Sequence, residues 1–502
     1  TMTDRGSPGA AVFFVAPPSD LREGALAAET ESIEIFDTED WGIRPVPETH
    51  RRLRGIDFAI LWGDLAVSLL IIAAGSLLVP SLSTKEALLV IVVGNVAGAG
   101  LLAAAGVIGS KTGVPTMVSL RAVLGIRGSY LGSGFNILQL VGWAALEIII
   151  MAKLASGLSD HFLGFSAYYA WLVGFALLGT AMALGGPVAV VRQWMQKFGV
   201  WVVLAASAWL TIRLFDAYDF GAIWDVEGEG GTQNIFHGLD LVISLPVSWL
   251  PLVGDFSRFA RRAGPAAVGT YAGYGLANVW FFALGALYVS ALNTDYVGFF
   301  NGGAFVDMLV PLTFGWLALV ALLAGESDEV FANIYSTAVS VRNVVPRAGH
   351  ALLTVLVGSV ALVLAIVLDA LAYEPFLLLI GGVFVPLFGI FLADFFVVRR
   401  QRYEVEDLYR EDGAYWYTGG VNVVSVAVWL LGFVLYTLAA QPSWLTTHDA
   451  FDFVSWAPDT ISFIDDIGGT LPAFVFSFVA YIVVARFAPQ PLVRAEATAA
   501  GS

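Results

Sequence analysis

Runs of about twenty apolar residues, separated by short polar stretches, recur from residue 57 almost to the end of the chain. At helical rise, that length matches a hydrocarbon core of about 30 Å. The pattern predicts twelve membrane-crossing helices, at 57–80, 86–109, 129–157, 166–186, 194–214, 237–260, 266–292, 308–343, 350–371, 374–398, 418–440 and 470–487. The eighth is long and has a polar middle, so its ends are the least marked. The first fifty or so residues are polar and acidic. They lack the basic start and apolar stretch of a secretory leader, and none is expected. The chain thus reads as an all-α polytopic membrane protein with four parts. These are a cytoplasmic acidic segment (1–54), a core of helices 1–10 (55–400), helices 11–12 (401–490) and a short cytoplasmic tail (491–502).

Charge tests the count independently, because cytoplasmic loops collect Lys and Arg. Arg51, Arg52 and Arg54 precede helix 1. Every second loop is then basic, with Lys111, Arg121 and Arg127; Arg192 and Lys197; Arg258, Arg261 and Arg262; Arg342 and Arg347; and Arg399, Arg400 and Arg402. Apart from Lys85 and Arg213, the other loops are acidic, with Asp216, Asp219, Asp225, Glu227, Glu229, Asp452, Asp465 and Asp466. Twelve spans with both termini cytoplasmic, in the plasma membrane, follow; an error of one pair at helix 8 is the alternative. Composition agrees: 58% of the 502 residues are hydrophobic and 13% charged, against about 25% charged in soluble proteins. Lys plus Arg is 25 and Asp plus Glu is 41, a net charge of −16. No basic patch suits a phosphate backbone, so no nucleic-acid partner is expected. Cysteine is absent, which removes disulfides, thiolate metal sites and a Cys nucleophile.

Polar side chains inside the apolar runs carry the candidate chemistry, since an ionisable group at the bilayer centre is costly. Asp64 and Ser68 lie one turn apart in helix 1. Asn136, Gln139, Trp143 and Glu147 share a face of helix 3, at steps of three or four. In helix 8, Glu329, Asn333, Ser336 and Ser340 share a face, with Glu326 and Asp328 flanking its start. Each has a plainer reading. Asn136 and Gln139 are of the type that glues helices, Trp143 of the type that packs, and Asp64 can snorkel from a helix end. Lys153 reaches the outer interface or neutralises an acid. Glu147 and the helix 8 acids are harder to explain away, because they outnumber the available bases. Unpaired carboxylates at one depth suit a bound cation or a titrating proton. A second signal is interruption. Pro246 and Pro251 fall within helix 6, and proline removes a donor and clashes with the preceding turn. Helix 1, with Gly63, Gly75 and Ser76, is interrupted more weakly. Helices 1 and 6 are equivalent if five helices repeat, and paired broken helices mark a transporter's midplane site. A simple kink is the plainer reading of helix 6.

The segments GIRPVPETHR before helix 1, GNVAGAGLLAAAGVIGSKTGVPTMVSLRAVLGIRGS at helix 2, DFSRFAR after helix 6, NIYSTAVSVRN in helix 8 and FVPLFGIFLADFFVVRRQRY at helix 10 are informative together. In order and spacing, over roughly residues 40–440, they resemble the nucleobase:cation symporter-1 family, which includes cytosine permeases and hydantoin transporters. The resemblance implies the leucine-transporter fold, with helices 1–5 and 6–10 as inverted repeats plus two C-terminal helices. It implies purine, pyrimidine, hydantoin or allantoin substrates, coupled to sodium or protons. Trp143 matches the aromatic that stacks on the heterocycle, and Gln139 and Glu147 occupy positions that bond the ring edge, near Ser68 on helix 1. Where relatives place a second aromatic in the helix 6 break, Pro246 stands here, and Trp249 one turn on is its substitute. The cation site of relatives uses helix 1 carbonyls and two adjacent hydroxyl side chains on helix 8. It maps to Asp64, Val67, Gly325, Asp328 and Glu329, with acids in place of the hydroxyls.

The expected function is secondary active import of a nucleobase or similar planar heterocycle with Na+ or H+, by alternating access. The alternatives are an amino-acid or amine symporter of the same fold, and a substrate-sensing membrane receptor that does not transport. The expected partners are the small-molecule heterocycle and the lipid bilayer. No metal-binding spacing, phosphate loop or nucleophile motif is present, so the chain is not expected to be an enzyme. No cofactor is expected beyond the coupling ion, and Na+ is the only metal in question.

Overall fold

A computed structural model describes residues 41–186, 200–230, 234–293, 309–310, 313–368, 373–440 and 467–487. The acidic stretch before Trp41, the basic pair Arg192 and Lys197, the acids Asp452, Asp465 and Asp466, and the 491–502 tail lie outside the described residues. The described chain is helical, and the helices follow the predicted order. Helix α1 has two halves, α1a (Gly55–Asp64) and α1b (Leu69–Ser76). Then come α2 (Thr84–Thr112), α3 (Gly128–Leu163), α4 (Tyr168–Gly185), α5 (Val200–Ala217) and α6 (Ile235–Ser248). They are followed by α7 (Ala263–Leu292), α8 (Gly315–Val344), α9 (His350–Val367), α10 (Tyr373–Leu392), α11 (Val423–Ala440) and α12 (Thr470–Phe487). Among the described residues nine helices are long and apolar enough to cross a membrane, or ten with bent α1 taken as one. Helix α8 falls outside that set because Glu326, Asp328 and Glu329 share its middle turn. Helix ends follow local chemistry. Ser83 and Glu86 form a reciprocal capping box at the start of α2, and Gly113, at φ 73°, ends it in the left-handed region that glycine tolerates.

The breaks differ from the expectation. Helix 6, with two prolines, was expected to be the more strongly interrupted, yet α6 runs through Pro246 to Ser248. It gives way only at Trp249, before a short 3-10 turn, Leu250–Leu252, in which Pro251 sits at the start. A proline there removes no helical hydrogen bond. The sharper break is in α1, whose halves meet at 60° without any proline. Gly63 and Gly75 lie inside the two halves and serve packing instead. A side chain at Gly75 would collide with the Phe282 carbonyl of α7, and Gly285 of α7 lies as close to the Ile72 carbonyl. Small residues let two helices approach in this way where no hydrophobic drive separates lipid from protein.

Two packing groups result. Helix α7 lies along α1 and α2, and α2 also packs on α6; α3 lies along α8, α4 and α9, which pack on one another. Helices α10, α11 and α12 form a third cluster that meets α6. The α1 break and the α6 break face each other between the first two groups.

Candidate functional site

The α1 break is held from a distance. Ser68 leaves helical geometry (φ −132°, ψ 146°), and its hydroxyl accepts the Leu70 amide as an N-cap. The Leu69 amide donates to the Glu326 carboxylate of α8, and the Ser68 hydroxyl donates to the same group at 3.3 Å. A carboxylate therefore sits on the positive N-terminal end of α1b, where the first amides have no helical partner. Glu326 was read from sequence only as a flank of the polar stripe, and nothing local marks it as the group that shapes helix 1.

Beside this break lies a small cavity of about 10 Å³, room for about one water. Helix α1b supplies Ser68, Leu70 and Ile71; α3 supplies Trp143 and Glu147. Leu245, Ser248 and Trp249 come from the α6 break, and Glu329 and Asn333 from α8. Both tryptophans are buried and braced by rings set edge-on. Trp143 meets Tyr373 at 5.8 Å and Phe376 at 5.3 Å, and Trp249 meets Trp62 at 5.9 Å. The Asn333 amide donates to Glu147 Oε1 at 2.8 Å. Glu147 Oε2, Glu329 Oε1 and the Trp143 Nε1–H are buried beside the cavity without a protein partner.

Five buried carboxyls gather here: Asp64, Glu147, Glu326, Asp328 and Glu329. Glu147 and Glu329 are within hydrogen-bonding reach of each other, as are Asp64 and Asp328. Ser68, whose hydroxyl donates to Glu326, lines the cavity beside Glu329. Among the described residues, Asp64, Glu147, Glu326 and Glu329 form no ion pair. An ionised carboxylate is only an acceptor, so each carboxyl–carboxyl hydrogen bond needs a proton between the two. Among the described residues no three His, Asp or Glu side chains converge on one metal position.

The structure thus brings Ser68, Trp143, Glu147, Trp249 and Glu329 to one cavity, but other candidates lie elsewhere. Gln139 stands outside the lining, donating to Asn136 Oδ1 at 2.8 Å and to the Ser248 carbonyl at 3.0 Å. It ties α3 to the α6 break, and Asn136 continues the tie to Ser340 at 2.7 Å. Pro246 packs on Gly98 of α2, outside the lining. Asp328 and Glu329, taken together as one cation pair, diverge: Asp328 faces Asp64, and Glu329 faces the cavity and Glu147. The space beside Gly325 is filled by Val203 of α5. The Val67 amide closes a turn on the Asp64 carbonyl at 2.9 Å.

Both ends of the site are covered. On the side of α10, the Tyr373 hydroxyl donates to the Leu70 carbonyl at 3.1 Å, and Phe376 leans on Trp143. On the basic side, fully buried Arg258 donates to the Gly42 carbonyl and, at 3.0 Å, to the Tyr335 hydroxyl. The strand-like pairing of Leu53 with Ala260 holds the segment before α1 against the same loop. Arg121 spans from Asn343 at 2.9 Å to the Leu408 carbonyl at 3.0 Å. Sequence reading placed Arg258 and Arg121 among loop charges; their burial comes from tertiary packing that a charge count does not contain.

The profile of a family described as a permease for cytosine/purines, uracil, thiamine and allantoin matches residues 45–457. The allantoin permease of Bacillus subtilis (strain 168) is 24% identical over 486 residues, 89% of this chain and 92% of the permease. The hydantoin permease of Microbacterium maritypicum is 25% identical over 426 residues, 80% of this chain and 83% of that protein. Among solved structures, Mhp1, a nucleobase-cation-symport-1 family transporter in a closed conformation with bromovinylhydantoin bound, superimposes with a TM-score of 0.71. It is 21% identical, over 89% of this chain and 96% of that one. A Na+-coupled sialic acid symporter, 15% identical over 94% of this chain and 97% of its own, reaches 0.62. These likenesses show a shared transporter fold. The chain is a multi-pass membrane transporter rather than an enzyme, and it belongs to the nucleobase:cation symporter-1 family of cytosine, purine, uracil, thiamine and allantoin permeases.

Proposed function

We propose that the protein carries a planar heterocycle through the membrane by alternating access, coupled to a cation. One observation carries this reading: two buried indoles, Trp143 and Trp249, and a polar edge meet in one cavity at the facing breaks of α1 and α6. A flat ring stacks on an indole whatever its substituents, while the polar edge selects among them. The substrates in the names of the relatives, allantoin and hydantoin, are of this kind. The pattern of helix contacts supports a five-plus-five repeat. Exchanging each helix for the one five later turns the α1–α7 contact into α6–α2, and α3–α9 into α8–α4; all four occur. With α5, α8 and a bent α1 included, twelve spans and a basic cytoplasmic face are the proposed topology.

The proposed coupling site is the Asp64–Asp328 pair at the α1 break, on the two helices that also give the cavity Ser68 and Glu329. A proton is the simplest occupant, because two carboxyls within hydrogen-bonding reach can share one. Sodium is the second reading, favoured by the oxygen-rich surroundings that hard cations prefer. Opening to the α10 side requires Tyr373 and Phe376 to leave Leu70 and Trp143; opening to the basic side requires Arg258 to release Tyr335 and Gly42.

The test is uptake of labelled cytosine, uracil, allantoin and hydantoin into proteoliposomes under imposed proton and sodium gradients, separately. Accumulation of at least one ring above its outside concentration under one gradient is the expected result. Ligand binding without accumulation under either gradient would point to a receptor and overturn the reading. Asp64→Asn and Asp328→Asn are expected to abolish gradient-driven uptake while sparing exchange of substrate for substrate.

A further inference from the structure

The cavity presents more carboxyl oxygen than a neutral ring calls for. Two of its lining side chains, Glu147 and Glu329, are carboxyls from different helices, and no Lys, Arg or His lines it. Both are at least nine-tenths buried, and neither forms an ion pair among the described residues. They lie within hydrogen-bonding reach of each other, and a bond between them takes one proton and leaves their other oxygens as acceptors. The Asn333 amide satisfies Glu147 Oε1. The other Glu147 oxygen and Glu329 Oε1 are left as buried acceptors with no donor. Ser68 and Ser248 do not offset these acceptors; they carry hydroxyls only, and the Ser248 hydroxyl already donates to the Leu245 carbonyl at 2.6 Å. The remaining walls are the two indoles and the aliphatic Leu70, Ile71 and Leu245.

We infer that the site is built for a cationic planar heterocycle of the amidinium type, one whose edge presents two N–H donors and a delocalised positive charge. This rests on the heterocycle-carrier reading above and narrows it. A fork of two N–H groups on one charge matches carboxyl oxygens better than a single donor does, and such charge-assisted bonds are the stronger kind. The same cation is drawn to the negative faces of Trp143 and Trp249. A neutral ring that offers a carbonyl to this edge would set its oxygen against acceptors. Glu147 and Glu329 are thus specificity-determining residues. They act as a pair, because their free oxygens, Glu147 Oε2 and Glu329 Oε1, face the same ligand edge.

Two rings of one shape separate the possibilities. 2-Aminoimidazole is a cation at neutral pH with an amidinium edge; imidazol-2-one replaces the amino group with a carbonyl oxygen and is neutral. Each is titrated by calorimetry against wild-type protein in lipid nanodiscs, with hydantoin and cytosine as further neutral probes. The aminoimidazole is expected to bind at least about tenfold more tightly than the imidazolone, the scale by which charge assistance exceeds a neutral bond. Glu147→Gln and Glu329→Gln are each expected to lower that ratio, and the double variant to bring it to near one. The wild-type comparison needs no variant, so a poorly folding mutant does not blunt the test. Equal or tighter binding of the imidazolone, hydantoin or cytosine overturns this inference and leaves the heterocycle carrier standing. Failure of all four rings to bind overturns the carrier reading itself.

Discussion

Replacing Glu326 with Ala removes the acceptor on which two donors at the α1 break depend. The Leu69 amide and the Ser68 hydroxyl both donate to it, and all three residues are at least nine-tenths buried. A buried donor left unpaired costs about 1–3 kcal/mol, so truncation is bounded at about 2–6 kcal/mol for the two. Water beside the cavity can replace part of the loss, which puts the expected cost near the lower end, about 2 kcal/mol. Glu326→Gln keeps a carbonyl oxygen for the Leu69 amide and turns its NH2 toward Ser68, whose hydroxyl can accept instead of donate; the charge assistance, about half the strength of the bond, is lost. The assay is hydrogen exchange by mass spectrometry on protein in nanodiscs, read in the peptide over residues 65–72. Opening of the break frees these amides, so 2 kcal/mol corresponds to about thirtyfold faster exchange in the Ala variant. The Gln variant should lie close to wild type, and α2 peptides should be unchanged in all three. Equal protection in wild type and Glu326→Ala would show that other contacts hold the break. Glu326→Gln behaving like Ala would show that the charge or the second carboxylate oxygen holds the break, and that one acceptor is not enough.

Trp143→Ala should weaken heterocycle binding by about 1–3 kcal/mol, roughly tenfold to a hundredfold, with the thermal unfolding profile retained; unchanged calorimetric affinity would make Trp143 a packing residue only. Arg258→Ala removes the bonds to Gly42 and Tyr335 on the basic side. The loss of about 1.5 kcal/mol or more should raise maleimide labelling of a Ser336→Cys probe from that side about tenfold, with no background because the chain has no cysteine. Asp394 accepts from Arg399, Tyr403 and Tyr481 beneath α10, and both members of its ion pair are buried. Asp394→Asn should therefore cost about 3–5 kcal/mol by stranding the Arg399 charge, seen as lost monodisperse protein in size-exclusion chromatography. Adding Arg399→Gln should recover much of it, and no recovery would mean that the tyrosine bonds dominate.

The elements legible in the sequence are those whose cause is local. Apolar runs of bilayer length and the polar stripes of α3 and α8 announce themselves, because the cost of a polar group in lipid attaches to the residue that bears it. The stripe logic placed Trp143 and Glu147 together, and they line the cavity with Glu329 and Asn333. The break in α1 was underweighted for the opposite reason. Its decisive acceptor, Glu326, lies 257 residues from the Leu69 amide it receives, and no window of the chain contains both. Proline misled in the other direction. Its local penalty is real, but Pro246 sits in a stretch of α6 that packs on α2, and Pro251 falls where a new turn begins and its missing donor is not needed. The divergence of Asp328 and Glu329 needed no structure. At 3.6 residues per turn, neighbouring side chains on a helix stand about 100° apart, so two adjacent acids cannot point at one spot unless the helix unwinds, and α8 does not. One acid is given to the α1 break and the other to the cavity. That division sets Asp64 and Asp328 apart from the two acids, Glu329 and Glu147, that line the cavity.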